Sequence, residues 1–110
     1  MDAQLKKGVL ELCVLSIIDH EETYGYYIYQ SVNGVLGISE STIYPVLRRL
    51  VKKNYLSTYL KPSVHGPARK FFKITEEGKT HLVSLRKGWK TFEKSVNHLI
   101  GVNEVEKEIH

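Results

Sequence analysis

The sequence predicts a mainly helical chain with one small β-hairpin, and three observations predict it. Ile43, Val46, Leu47, Leu50 and Val51 recur at i, i+3, i+4, i+7 and i+8, the spacing of one helical face. Two β-prone runs, residues 56–61 and 68–74, flank a turn-rich loop at 62–67. Leu82, Leu85, Trp89, Phe92, Val96 and Leu99 follow at spacings 3, 4, 3, 4, 3, the a/d seam of a long helix.

The first helix is expected over residues 3–18. Leu5, Val9, Leu12 and Ser16 line one face and Leu10, Val14, Ile17 and Ile18 another, so this helix is buried on most sides. In a short chain that points to a second covering surface, such as another protomer. Thr23 is placed to cap a second helix starting at Tyr24, with Ile28, Val32 and Tyr29 inside and Gly34 and Gly37 ending it. Gly25 implies close approach of another backbone. The tyrosines of this segment cover a core edge and leave hydroxyls that can reach phosphates.

Residues 39–54 organise the rest. Ser39 is the expected N-cap, with Ile38 and Ile43 at the spacing of a hydrophobic staple. Opposite the apolar stripe, Ser41, Thr42, Tyr44, Pro45, Arg48, Arg49 and Lys52 form a polar front. Pro45 falls early enough to leave the later turns intact. The hairpin that follows has the size of a wing, with Arg69 and Lys70 at its base and His65 near its tip. Thr75 then caps the last helix, whose Glu76 and Glu77 suit its positive end. That helix runs about 25 residues, or about 37 Å, longer than the body beside it, which favours pairing with a second copy. It ends near Gly101, and the acidic segment 103–110 reads as frayed.

With 110 residues, 42% apolar, the chain has room for one domain with a core that needs no staples. The expected division is a helical unit with its hairpin over 1–74 and a dimerisation helix over 75–110. Cys13 stands alone, which excludes an internal disulfide, fits a reducing compartment and reads as a packed small hydrophobe. No apolar stretch approaches the ~20 residues of a membrane span. Glu11 interrupts the run after Lys6 and Lys7, so no signal peptide is read and a cytoplasmic location is expected. The five histidines lack ligand spacing, Cys13 has no partner for zinc, and no Gly-rich phosphate loop is present. Neither catalysis, a cofactor nor a metal is expected.

Charge narrows the function. Residues 39–73 hold eight cations against Glu40 alone, a net +7. The remainder has eight basic and eleven acidic residues, a net −3. Cations concentrated on one helix and the following hairpin point to a polyanion partner. Helix, helix, cationic helix and hairpin is the order of a winged helix-turn-helix, whose third helix enters the major groove of double-stranded DNA. Arg69, Lys70 and Lys53 are expected on phosphates, and Thr42, Tyr44 and Arg48 at base edges. The rival is a winged-helix module that docks an acidic protein without operator binding.

Three motifs in order, TYGYYI at 23–28, STIYPVLRRL at 41–50 and GPARKFFKIT at 66–75, resemble the PadR-type transcriptional regulators, specifically the shorter members with a single C-terminal helix. The resemblance spans about residues 5–100. It implies a winged-helix homodimer whose C-terminal helix pairs with its partner's first and last helices. It further implies repression by occupancy of a pseudo-palindromic operator, relieved by a small molecule. It places Ser41, Thr42, Tyr44, Pro45 and Arg48, then His65, Gly66, Arg69 and Lys70, at the DNA; Ser41 departs from the glycine or alanine of many relatives. Trp89 and Phe92, on the seam with Leu82, Leu85 and Val96, form the expected dimer interface. Paired across a two-fold axis, the indoles could frame a slot for a planar aromatic ligand. Interface packing without a ligand is the plainer reading of the same stripe.

Overall fold

Seven elements follow one another in a computed structural model that describes residues 9–101: α1 (Leu10–His20), β1 (Thr23–Tyr24), α2 (Gly25–Leu36), α3 (Glu40–Lys52), β2 (Leu56–Ser63), β3 (Gly66–Ile74) and α4 (Glu76–Ile100). The strands form one antiparallel sheet in the order β1-β3-β2.

The first helix runs to His20, two residues beyond the expected end, where the Glu21 amide donates to the Ile17 carbonyl at 3.1 Å. Its expected start, with Leu5, lies outside the described residues. Leu10, Val14, Leu15 and Ile18 are all buried. Each such side chain removed from water stabilises the fold by roughly 1.5–3 kcal/mol. Ile28 and Val32 of α2 and Ile43, Val46, Leu47 and Leu50 of α3 join the same cluster. Leu56, Phe72 and Ile74 close it from the sheet.

Thr23 does not cap a helix. It pairs with Phe72, and Tyr24 with Phe71, so the pair is a short strand on β3. The free edge of β3 takes their backbone groups, and α2 starts one residue later, at Gly25, with Tyr24 at the N-cap and no side-chain cap. Gly25 is approached by a side chain rather than a backbone: a Cβ there would lie 2.8 Å from Tyr44 Cε1. Gly34 stays inside α2, and Gly37, at φ 67°, ends it with its amide on the Asn33 carbonyl.

Ser39 occupies the N-cap position of α3, but its hydroxyl caps no amide. The Ser39 carbonyl accepts from the Thr42 and Ile43 amides instead, and the hydroxyl meets those of Ser41 and Thr42. Ile38 and Ile43 are both buried, as a staple requires.

The hairpin is tighter than its sequence suggests. Ser63 pairs with Gly66, leaving only Val64 and His65 in the turn. Pro62 and Pro67 read as loop residues, yet both lie in strands; Pro62 sits at a register irregularity between Lys61 and Ser63, where a missing amide is tolerated. Arg69 pairs with Lys61 and Lys70 with Leu60, so both stand midway along the hairpin rather than at its base.

Thr75 caps α4 as expected. Its Oγ1 accepts from the Gly78 amide at 2.9 Å and donates to the Asn54 carbonyl at 2.7 Å, tying the helix start to the end of α3. The seam then divides. Leu82 is fully buried and Leu85 packs against the core, so Leu82 belongs to the monomer's own interior and not to an interface. Beyond them α4 leaves the body: Trp89 is 39% exposed, Phe92 61% and Leu99 83%. Gly101, at φ 88°, ends the helix. The overhang draws the molecule out to 57 Å against 28 and 24 Å. The acidic segment 103–110 lies outside the described residues.

Candidate nucleic-acid interface

The polar front of α3 faces solvent. Ser41, Thr42, Pro45 and Arg48 are exposed, one turn after another from the helix start. The hydroxyl contacts of Ser39 with Ser41 at 2.9 Å and Thr42 at 3.2 Å hold the first turn's hydroxyls in one cluster. Tyr44 differs from its neighbours: it is half-buried, its ring against Gly25. Burial, and then the charges of Glu40 and Tyr26, push its phenol above the ordinary value, so it stays a hydrogen-bond donor. Arg49 leaves the front. Its guanidinium turns to the Glu11 carboxylate of α1, 3.6 Å away.

The wing supplies a second set of cations. The Arg69 guanidinium lies 4.5 Å over the Tyr24 ring, and Lys61 Nζ lies 4.8 Å over that of Phe71. Lys70 Nζ stands 5.7 Å over Phe72. His65 and Gly66 are exposed at the tip, within a shallow hollow that also takes in Val64 and Arg69. Lys53 is exposed at the C-terminal end of α3, away from Ser41 and Thr42.

Between wing and helix runs a groove of about 790 Å³. Tyr44 and Arg48 line it from α3, and Arg69 and Lys70 from β3. It brings together four of the residues expected at DNA. Lys52, rather than Lys53, lines it, as do Tyr24, Tyr26 and Gln30. The sequence held a signal for Lys52, since it follows Arg48 by four positions on one helical face. It held none for Gln30. Ser41, Thr42, Pro45, His65 and Gly66 lie outside the groove, on the surface around it.

A second hollow of about 380 Å³ lies between α1 and α4, lined by Leu12, Arg49, Leu85, Gly88, Trp89 and Phe92 among others. Trp89 and Phe92 are tilted 40° with centroids 6.3 Å apart. Val96 does not line it, and Leu82 is in the core. Among the described residues there is no cluster of His, Cys, Asp and Glu that could hold a metal ion, and no helix long and apolar enough to cross a membrane.

A three-helix body, a wing and a cationic, hydroxyl-bearing third helix define a winged helix-turn-helix protein with a long C-terminal helix. The chain belongs to the transcriptional regulator PadR-like family, whose model matches residues 14–84. The family consists of transcriptional regulators, not enzymes, and membership makes the chain a DNA-binding regulator; its length fits the members with a single C-terminal helix. The chain is similar to a PadR-like transcriptional regulator from Bacillus cereus, at 39% identity over 89% of this chain and 97% of that one, with a TM-score of 0.82. A Streptococcus transcriptional regulator is 34% identical over 89% of this chain and 98% of its own, at TM-score 0.80. An uncharacterised protein of Lysinibacillus sphaericus is 36% identical over 87 residues, 76% of this chain and 80% of its own.

Proposed function

We propose that the protein is a homodimeric, sequence-specific repressor that occupies a pseudo-palindromic operator in the cytoplasm and is released by a small aromatic effector. One observation carries the DNA side of this reading: Arg48 and Lys52 of α3 and Arg69 and Lys70 of the wing line a single groove that, among the described residues, no carboxylate lines. Thr42 and Arg48 read base edges while Arg69 and Lys70, with Lys53 at the flank, hold phosphates. Tyr44, half-buried, donates its hydroxyl to the backbone at the groove edge.

Dimerisation is supported by the apolar overhang of α4, where Phe92 and Leu99 are exposed among the described residues. In this reading residues 75–110 are the dimerisation unit. Two-fold pairing sets two copies of α3 about one DNA turn apart, ~34 Å. The Trp89–Phe92 hollow is the effector site in the same reading, supported by its aromatic lining. A gel shift with the protein's own promoter region against random DNA tests operator binding. Tight, salt-sensitive binding to the promoter alone is expected; equal binding to both, or salt-independent binding, refutes specific repression. Quenching of Trp89 by planar aromatic compounds, with release of DNA, tests the effector.

A further inference from the structure

We propose that the groove between wing and α3 is itself a small-molecule site for a flat aromatic anion, and that its occupant excludes DNA directly. The proposal rests on the DNA-binding reading for its consequence, but not for the site.

The groove is built in two layers. Val51 gives it an apolar floor over the buried Leu47 and Phe72, and the rings of Tyr24 and Tyr44 give it flat walls. Arg48, Lys52, Arg69 and Lys70 stand at its rim. Among the described residues none of these four is ion-paired, although Arg49 next door is. Four like charges gathered without a counter-charge repel one another, and an anion relieves that repulsion. The volume, about 790 Å³, lies within the ~300–1,000 Å³ of ordinary ligand sites.

The floor is what separates a small ligand from a duplex. A sugar–phosphate strand satisfies the rim but offers no flat apolar surface to Val51 and the tyrosine rings. A fused or biaryl ring bearing a sulfonate, carboxylate or phosphate satisfies both layers at once. Tyr24 is already engaged by a cation on one face, the Arg69 guanidinium, which is well placed to meet an acid group on a ring stacked beside it.

The test uses the full chain and the fluorescent probe anilinonaphthalene sulfonate, with uncharged phenylnaphthylamine as its comparison. The sulfonate is expected to bind about a hundredfold more tightly than the neutral probe, as two charge-assisted hydrogen bonds to the rim cations allow. Arg48→Gln and Lys70→Gln should each weaken the sulfonate by about tenfold and leave the neutral probe unchanged. Lys87→Gln, exposed on α4, should change neither. A short DNA duplex at low salt should displace the sulfonate competitively. Affinity for the sulfonate that ignores Arg48→Gln and Lys70→Gln, as binding at the Trp89–Phe92 hollow would, overturns the site. Simultaneous binding of probe and duplex overturns the exclusion. If no duplex binds the protein at all, the DNA-binding reading fails, while the two substitutions still decide the site.

Discussion

The Glu11 carboxylate lies 2.6 Å from His81 Nε2, joining the first helix to the last. The same carboxylate takes the Arg49 guanidinium at 3.6 Å. The His81 ring stacks on Tyr55 at 4.1 Å, nearly parallel at 7°. One side chain of α1 therefore touches both α3 and the helix that overhangs the body. Glu11 and His81 are half-buried and Arg49 is exposed, so water screens their attraction in part.

Glu11→Gln keeps the shape and removes the charge. A hydrogen bond to a charged group contributes about 1.5–3 kcal/mol, and partial exposure brings the expected loss to about 1–2 kcal/mol. Thermal unfolding followed by circular dichroism should show it as a drop of several degrees, since each kcal/mol shifts a domain of this size by about 4–8 °C. His81→Ala in the Glu11→Gln background should cost less than it does alone. Full additivity of the two would mean that the contact carries no energy.

Glycine substitutions should split by position. At Gly78 a Cβ would sit 2.1 Å from the Tyr55 carbonyl oxygen, a backbone atom that cannot turn away. Gly78→Ala should therefore displace the start of α4 and destabilise by about 3 kcal/mol or somewhat more, at or above the usual cost of overpacking. At Gly34, inside α2, a Cβ meets nothing within 4 Å. Gly34→Ala should stabilise by about 0.4–1 kcal/mol, because alanine loses less backbone freedom on folding. Urea midpoints of the two variants should fall on opposite sides of the parent.

These contrasts also mark what the sequence could and could not convey. The Thr75 cap and the α3 stripe were legible because both depend on neighbours within one or two turns. The strand at Thr23 and Tyr24 was not, since its partners Phe71 and Phe72 come from the far end of the hairpin. Arg49 read as part of the cationic front because helical spacing cannot reveal Glu11 on another element. Leu82 fitted the heptad seam and still lies in the monomer core, because one apolar stripe serves two surfaces in succession. The prolines of the hairpin were read as a loop, and the short turn at Val64 and His65 was hidden by them. Of the candidate site, the cations were visible in composition alone. The groove that unites them needs the fold.

The Tyr59 phenol donates to the Glu22 carboxylate at 2.6 Å, and that hydrogen bond raises its pKa above the ordinary 10.0. A group whose folded value is raised stabilises the fold below its unfolded value and loses that contribution as pH rises through the folded one. The wing's attachment to the α1–β1 turn should therefore weaken at alkaline pH, above about 10. Ultraviolet titration of the parent minus Tyr59→Phe isolates this phenol. Glu22→Gln should bring its ionisation down; an unchanged curve would show that the bond does not persist in solution.

Adjacent arginines should behave differently toward DNA. Arg48 lines the open groove, whereas Arg49 is held at Glu11. Each phosphate neutralised contributes about 0.9 to the slope of log K against log salt. Arg69→Ala should lower that slope by about 1. Arg49→Ala should leave it unchanged while lowering stability. Arg48→Ala should reduce discrimination between promoter and random DNA, costing about 1–3 kcal/mol if it reads a guanine edge. Fluorescence anisotropy across a salt series separates the three.

In the proposed dimer, operator spacing depends on pairing through α4. Phe92 and Leu99 are exposed on the seam, and neither touches the buried core. Phe92→Asp should thus leave the winged body folded, with an unchanged circular dichroism spectrum. A charge placed in a hydrophobic seam costs several kcal/mol once both copies must bury it. Sedimentation should then show a monomer where the parent is a dimer. The parent's unfolding temperature should rise with protein concentration, because association stabilises the folded state by mass action, and the variant's should not. A parent that sediments as a monomer would leave the overhang without a function. It would also reduce the operator to one half-site, with the loss of the second helix in the next groove.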